Sequence, residues 1–458
     1  MSKCDSILIS KFEELIKNNS EYWDFKESKK DHIHGIFTYP ATMVPSMQSK
    51  ILEIILKYNP NIDSLLDPFM GSGTMLVEGM INNLNIYGID INPLSYLISK
   101  FKINVPVINE LNTSFEILLK DIDTINSYPI ISFKNIDKWY KKEIIYDLSK
   151  INYCIKKISN IELRTFFWIC LAEISRLCNN SRNSTFKLHI KSKDDIENFK
   201  FDVIQSYKKL VLTNINRIQE YIKINKNLLY KHDFNTYNYN KEKNIYLGNS
   251  INILKEKFRD NSIELIITSP PYGDNPTTVT YGQFSILPLR WIDINDLNTE
   301  IEENLISIDS KIDSLSLGGK NYSYEYIKES NILNESETLN YIYNYLIFKN
   351  EKMKARKVAS FILDFRICFK ELIRILNING YMVLTVGNRR VANNIIEFNK
   401  IIKEFSMRYG VTLVYEFNRN IIKKRLPTKV SKLKDNTSVN SMSKEYILIL
   451  KKQDNKYK

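Results

Sequence analysis

The sequence predicts an α/β protein whose core is a doubly wound, mainly parallel β-sheet. Short runs of branched aliphatic residues alternate with helical patterns, and a glycine turn separates the first run from an apolar helix. Polar motifs also follow two of the runs, at the strand ends where such sheets bind ligands. The predicted strands are 62–67, 85–91, 244–250, 262–269, 380–387, 411–417 and 445–451.

Helical patterns lie between these strands. The stretch "TMLVEGMINN" predicts a helix directly after the glycine turn. An amphipathic pattern over 359–380 predicts a second helix, closed by Asn379-Gly380, and residues 391–405 predict a third.

Two stretches interrupt this alternation. We therefore expect a first part of the sheet domain over 1–104, a mostly helical insert over 105–240, and a second part over 241–458. Within that second part, 295–355 forms a polar insertion.

Composition narrows the class of protein. The chain has 458 residues, a formal charge of +13 and 43% hydrophobic residues. That basic balance fits a nucleic-acid partner, although a general lysine bias explains it equally well. No run reaches the length of a membrane span, and the five scattered cysteines include no CxxC pair. We expect a reduced, cytoplasmic protein with no membrane or metal partner.

The stretch "DPFMGSGT" (67–74) ends the first predicted strand. Gly71 and Gly73 allow the backbone to approach a ligand closely, and no Gly-Lys-Ser/Thr follows as in a phosphate-binding P-loop. Asp90 ends the second strand about twenty residues later, where an acid in such a sheet binds ribose hydroxyls. Together these residues predict a nucleoside cofactor.

With "TSPPY" (268–272), the stretch "DPFMGSGT" resembles the signature pair of S-adenosylmethionine-dependent DNA amino-methyltransferases. The segment "HGIFTYPATMVPSM" (34–47) resembles the flanking segment of that family. The resemblance implies a Rossmann-like methyltransferase sheet, S-adenosylmethionine as cofactor and double-stranded DNA as partner. It implies this set of cofactor-binding residues: Thr38, Tyr39, Asp67, Phe69, Gly71, Gly73, Thr74, Asp90 and Asn249. Asn249 is a looser match, because the family often has aspartate there.

The motif Ser269-Pro270-Pro271-Tyr272 suits chemistry on an exocyclic amine. The lone pair of such an amine is delocalised into the base, and acceptors around its hydrogens make the nitrogen more nucleophilic. The Ser269 hydroxyl and the Pro270 carbonyl are the expected acceptors, and the two prolines fix the backbone beforehand. Tyr272 offers a ring for stacking on a base flipped out of the duplex. Serine at the first position resembles the cytosine-N4 enzymes, and adenine N6 remains the alternative.

The order of motifs resembles enzymes in which target recognition lies between the two halves. This makes 105–240 the candidate recognition region. Within it, the loop 178–193 carries Phe186 and the candidate DNA-binding residues Arg182, Lys187, His189 and Lys191. A solvated surface loop explains this pattern equally well. Tyr281 and Gln283, after the Ser-Pro-Pro-Tyr motif, are further candidates for base contact, and 423–429 is a basic stretch near a late strand.

The favoured function is a site-specific DNA methyltransferase acting on cytosine N4, either solitary or paired with a separate restriction endonuclease. The alternatives are an adenine-N6 DNA methyltransferase, an RNA guanine-N2 methyltransferase and a protein-glutamine methyltransferase. A catalytically silent DNA-binding protein is a candidate from a different class.

Overall fold

Seven strands form the central sheet, each overlapping a predicted run. They are β1 (Ser64–Asp67), β2 (Asn85–Asp90), β3 (Lys243–Leu247), β4 (Ile263–Thr268), β5 (Leu376–Gly387), β6 (Val411–Asn420) and β7 (Lys444–Lys452). Their order across the sheet is β6-β7-β5-β4-β1-β2-β3. Strands β3, β2, β1, β4 and β5 are parallel, and β7 runs antiparallel to both β5 and β6. The predicted fold class, a mainly parallel Rossmann-like methyltransferase sheet, is confirmed.

The structure is a computed structural model. It describes residues 3–182, 186–231, 237–274, 278–297, 305–306, 308, 310–421, 429–432, 438–440 and 443–454. The predicted basic stretch 423–429 lies almost entirely outside the described residues.

Helices cover both faces of the sheet and build the insert. The α-helices are Lys3–Asn18, Pro45–Tyr58, Thr74–Ile81, Pro93–Ile103, Ile108–Thr124, Ile136–Trp139, Lys142–Lys156, Ile161–Leu177, Lys193–Asn198, Val203–Ile224, Ser250–Lys257, Tyr281–Leu289, Lys311–Leu315, Tyr324–Glu329, Ile332–Glu335, Glu337–Phe348, Lys352–Ile375 and Phe398–Arg408. Short 3-10 helices span Tyr22–Asp24, His32–Gly35 and Ile294–Leu297. Two-stranded pairs join Leu229–Lys231 to Tyr237–Tyr239, Arg390–Val391 to Asn394–Ile395, and Lys429–Lys432 to Ser438–Asn440.

Two predicted helix boundaries are wrong. The long amphipathic helix ends at Ile375, and Asn379-Gly380 lies inside β5 instead of closing the helix. Asn379 has φ 66°, and a Cβ on Gly380 would lie 2.8 Å from the Glu264 carbonyl oxygen of β4. Asn379 and Gly380 therefore lie at an irregularity in β5, where its register with β4 shifts and the two backbones approach closely.

The helix predicted over 391–405 begins only at Phe398. Ala392 and Asn393 have φ values of 47° and 64°, and they form the turn of a two-residue hairpin. Two consecutive left-handed residues are typical of such turns and are incompatible with a helix.

The insert 105–240 shares its hydrophobic core with the sheet domain. Phe166, Phe167 and Trp168 are fully buried, and the rings of Phe166 and Phe101 lie 5.5 Å apart. Asp296 accepts hydrogen bonds from Arg164 and from the Trp168 indole nitrogen, at 2.7 Å for the latter. The insert is therefore packed firmly against the segment that follows the Ser-Pro-Pro-Tyr motif.

None of the described helices is long and apolar enough to cross a lipid bilayer. Within the same part of the chain, no three His, Cys, Asp or Glu side chains are grouped as metal ligands.

Candidate active site

A cleft opens at the carboxyl ends of the parallel strands, where the switch in strand order leaves room for a ligand. It lies between β1, β2 and β4, and both motifs singled out in the sequence contribute to it. Its walls comprise residues 39–43, 69–72, 74, 90–92, 249–251, 269, 271, 281, 312 and 315–317.

The glycine turn is held by side chains from the helix Pro93–Ile103, which follows β2. Gly71 and Gly73 have φ values of 50° and 74°, in the left-handed region that glycine adopts without strain. A Cβ on Gly73 would lie 2.9 Å from Ser99 Oγ. Ser95 and Ser99 both donate hydrogen bonds to the Gly71 carbonyl. The turn is therefore fixed before any ligand arrives.

Asp67 lies beneath this turn and does not line the cleft. Its Oδ1 accepts hydrogen bonds from the Phe69 amide at 3.1 Å and from Thr268 Oγ1 at 2.6 Å. Its Oδ2 is buried and has no hydrogen-bond partner among the described residues. Burial raises the pKa of Asp67 to about 7, and the bonds from Thr268 and Phe69 oppose that shift.

Asp90 lines the cleft directly. Its Oδ2 accepts from the Gly71 amide at 2.9 Å and its Oδ1 from the Asn92 amide at 2.8 Å. Burial raises the pKa of Asp90, while the bonds from Asn92, Ser95 and Gly71 lower it. Both carboxylate oxygens retain further acceptor capacity toward the cleft.

Aromatic residues form a second wall. The rings of Tyr39 and Tyr281 are stacked with centroids 6.0 Å apart and an interplanar angle of 22°. Asn92 Nδ2 donates to Tyr39 Oη at 3.0 Å and to Ser285 Oγ at 2.6 Å. Asn92 therefore joins the first part of the sheet domain to the helix Tyr281–Leu289. No motif in the sequence had marked Asn92 as a site residue.

The polar insertion 295–355 contributes a wall that the sequence did not predict. Ile312, Leu315 and Leu317 line the cleft, and Asp313 Oδ1 accepts from the Gly282 amide at 3.0 Å. Asn249 Nδ2 donates to the Leu315 carbonyl at 3.2 Å.

Asn249 lines the cleft, but its side chain is already engaged. Besides the bond to Leu315, its Oδ1 accepts from the Ile251 and Asn252 amides and so caps the helix Ser250–Lys257. A contact between Asn249 Oδ1 and the adenine amino group of a nucleoside cofactor would compete with this cap.

The catalytic motif is placed at the cleft by the end of β4. Ser269 and Pro271 line the cleft, whereas Pro270 is buried behind them. Ser269 Oγ and Tyr272 Oη are 3.1 Å apart, and Tyr272 Oη donates to Glu445 Oε1 at 3.0 Å. Burial, followed by the charge of Glu445, raises the pKa of Tyr272 well above its usual range. The phenol therefore keeps its proton.

An ion pair supports the loop after the motif. Arg389 Nη1 donates to Asp274 Oδ1 at 2.6 Å, and both side chains are about nine-tenths buried. A Cβ on Gly273 would lie 2.5 Å from the Arg389 guanidinium carbon, so a larger residue there would displace the guanidinium from its present position.

The basic loop of the insert lies against the helix Tyr281–Leu289. The Leu188 amide donates to Gln283 Oε1 at 3.4 Å, and the rings of Phe186 and Phe284 are 5.9 Å apart. Gln283 thus contacts the insert. The structure therefore brings the predicted DNA-binding loop next to the helix that follows the Ser-Pro-Pro-Tyr motif.

The side chains of this loop differ in their availability. Arg182 and His189 are exposed and Lys187 is half-buried. Lys191 donates to the Asn179 carbonyl at 2.9 Å and lies 3.6 Å from the centre of the Phe199 ring. Lys191 is thus committed to the loop's own structure, which the residue pattern alone did not reveal.

Among the predicted cofactor residues, Tyr39, Phe69, Gly71, Thr74, Asp90 and Asn249 line the cleft. Thr38, Asp67 and Gly73 are not part of its walls. The cleft still fits S-adenosylmethionine chemically. Asp90 offers carboxylate oxygens for hydroxyl groups, and the insertion offers an apolar wall for a base.

No protein-family model matches the chain. The chain is 33% identical over 465 residues to the type II methyltransferase M.MvaI of Kocuria varians, covering 99% of this chain and 98% of that protein. It is also 34% identical over 140 residues to the type II methyltransferase M.MjaII of Methanocaldococcus jannaschii, covering 30% of this chain and 24% of that one.

Proposed function

The chain belongs to the type II DNA methyltransferases, which use S-adenosylmethionine, and from this premise we propose that it methylates cytosine at N4 within a specific DNA site. The observation that carries the choice of an amine is Ser269, whose hydroxyl lies at the cleft 3.1 Å from Tyr272 Oη. Cytosine is favoured over adenine because serine at that position resembles the cytosine-N4 enzymes of the family, whereas aspartate or asparagine is commoner among the adenine-N6 enzymes.

S-adenosylmethionine supplies an electrophilic methyl group when it is bound. Asp90, the turn 69–74 and the wall made by Ile312, Leu315 and Leu317 are the residues proposed to hold it. The stacked Tyr39 and Tyr281 close the remaining side.

The motif residues act on the base. Ser269 Oγ and the Pro270 carbonyl accept hydrogen bonds from the two amine hydrogens, which directs the nitrogen lone pair toward the methyl group. Among the described residues, no backbone N–H donates to the Pro270 carbonyl. Because the prolines fix the backbone, this arrangement is preorganised and the reaction is accelerated mainly by positioning. The Tyr272 ring stacks on the flipped base.

We assign target recognition to the insert 105–240. Its loop carries the exposed Arg182 and His189 and contacts Gln283, next to the catalytic segment. Cations at this place neutralise DNA phosphates while the base enters the cleft. A separate endonuclease would recognise the same site if the enzyme is one half of a restriction-modification pair.

The proposal is tested with methyl-labelled S-adenosylmethionine, offered with unmethylated bacterial DNA and, separately, with total RNA. Nucleosides released by digestion are separated by chromatography, and a Ser269→Ala variant serves as the control. We expect label in N4-methylcytosine from DNA only. Label in N6-methyladenine would overturn the choice of base, and label in RNA would favour the guanine-N2 alternative. Absence of label in both would support a silent DNA-binding protein.

A further inference from the structure

Four side chains, from the Ser-Pro-Pro-Tyr motif and from strands β7 and β6, form a hydrogen-bonded series that leads away from the cleft. Ser269 Oγ lies 3.1 Å from Tyr272 Oη, and Tyr272 Oη lies 3.0 Å from Glu445 Oε1. The second carboxylate oxygen, Glu445 Oε2, accepts from Arg419 Nε at 2.8 Å. No sequence motif marked Glu445 or Arg419.

The fold accounts for this meeting. Because β7 runs antiparallel, its first residues lie at the same edge as the carboxyl ends of β4 and β5. Glu445 is paired in register with Gly387 at the end of β5 and with Arg419 of β6. The glutamate is thus held between an arginine on one side and the catalytic tyrosine on the other.

The direction of the hydrogen bonds follows from the number of protons. Paired with Arg419, the Glu445 carboxylate is an acceptor only, so the single hydroxyl proton of Tyr272 is donated to it. The bond between Ser269 and Tyr272 must then be donated by Ser269 Oγ. As a result, Ser269 presents only lone pairs to the cleft.

We propose that Glu445 is a positioning residue for methyl transfer, which acts through Tyr272 to make Ser269 an obligate acceptor for the target amine. This inference rests on the proposed function. Without Glu445, both hydroxyls can rotate, and Ser269 can turn its proton toward the amine, which opposes the required hydrogen bond.

The same series removes the proton that the reaction releases. The amine nitrogen forms a bond to the methyl carbon, and the electrons of the broken carbon–sulfur bond remain on sulfur. A proton then passes from nitrogen to Ser269 Oγ, the serine proton to Tyr272 Oη, and the tyrosine proton to Glu445 Oε1. Glu445 ends neutral and, with its side chain 17% exposed, returns the proton to solvent.

The first test compares single-turnover methylation by the wild type, Glu445→Gln, Tyr272→Phe and the double variant. Glutamine keeps the size of glutamate but takes up no proton, and phenylalanine keeps the ring for stacking. We expect each single change to slow transfer about 100-fold, the range of a positioned acid or base group. Because both changes interrupt one series, the double variant should be slower than either by less than about threefold.

The matched control is Glu416→Gln on the neighbouring strand β6, which breaks the ion pair with Lys403 of the helix Phe398–Arg408 without touching Tyr272. Its transfer rate should equal that of the wild type. An unchanged rate in Glu445→Gln would overturn the inference. The inference would also be overturned if the reductions in rate caused by Glu445→Gln and Tyr272→Phe multiply in the double variant.

A binding measurement separates positioning from general damage. Equilibrium affinity is measured, with S-adenosylhomocysteine present, for a duplex containing the mapped site and for the same duplex with a target base that lacks the amine. That analogue is 2-pyrimidinone for cytosine or purine for adenine. In Glu445→Gln, we expect the preference for the amine-bearing base to fall about fivefold, with affinity for the analogue unchanged. Equal losses for both duplexes would indicate a merely structural role. If the wild type methylates no DNA, the proposed function fails, and not this inference alone.

Discussion

Thr268 donates a hydrogen bond across 2.6 Å to the buried carboxylate of Asp67, although 201 positions separate the two residues in the chain. Asp67 ends β1 directly before the glycine turn, and Thr268 ends β4 directly before Ser269. One side-chain hydrogen bond therefore joins the first part of the sheet domain (1–104) to its second part (241–458).

Replacing Thr268 with valine removes this donor while preserving side-chain shape. We expect the free energy of unfolding to fall by about 1–3 kcal/mol, because a buried acceptor loses a partner. Denaturant unfolding measures the change. Thr385→Val is the matched control, since Thr385 is also buried in a strand but accepts only a long bond of 3.4 Å from Gln48. A loss no larger than that of the control would contradict this role.

Asp67 also makes stability depend on pH. Its pKa of about 7 in the folded protein lies above the ordinary value of 3.8, so the folded state binds the proton more tightly than the unfolded chain. Stability contributed by this proton is present at low pH and is lost as pH rises from about 4 to 7. Across this pH range, the contribution of Asp67 to the free energy of unfolding falls by about 4 kcal/mol.

The measurement is thermal unfolding of the cofactor-free protein between pH 4 and 8, compared with Asp67→Asn. We expect the wild type to lose stability with rising pH more steeply than the variant. The comparison of slopes cancels other titrating groups, including Glu78, whose pKa burial also raises to about 7. Parallel curves would mean that Asp67 is already ionised in the folded protein.

The apolar wall from the insertion gives a third prediction. Leu315 is 38% exposed and lines the cleft, so Leu315→Ala should leave the fold intact. It should weaken binding of S-adenosylhomocysteine about fivefold, through loss of roughly 1 kcal/mol of apolar contact. Calorimetric titration tests this, with Leu212→Ala as the control because Leu212 is 54% exposed on a helix of the insert. If both variants bind S-adenosylhomocysteine with equal affinity, the insertion does not form part of the cofactor site.

The basic loop 178–193 of the insert gives a fourth prediction. Arg182 is exposed beside the catalytic segment, and Arg182→Ala should reduce the slope of log affinity for DNA against log salt by about 1. Lys57 is equally exposed on the helix Pro45–Tyr58, which leads into the amino end of β1, and Lys57→Ala should leave the slope unchanged. A slope unchanged in both variants would show that the loop is only a solvated surface.

The sequence predicts the sheet well because its signals are local. Strands with aliphatic runs, a glycine turn at Gly71 and Gly73, and Asp90 at a strand end follow from period and spacing alone. Glu445, Arg419, Leu315 and Asn92 could not be found this way, because their contacts arise from strand order and from an insertion folding back over the cleft. The helix boundary near Phe398 failed because Ala392-Asn393 adopts a turn that an apolar pattern does not reveal.

The central claim is that this chain methylates cytosine N4 at a defined site through Ser269 and Tyr272. Single-molecule sequencing of genomic DNA from a methylation-free host tests it most directly, comparing cells that express the wild type with cells that express Tyr272→Ala. We predict one sequence motif carrying N4-methylcytosine with the wild type and none with the variant. A motif modified at adenine N6, or genomic DNA without modification in cells that produce folded wild-type protein, would contradict the claim.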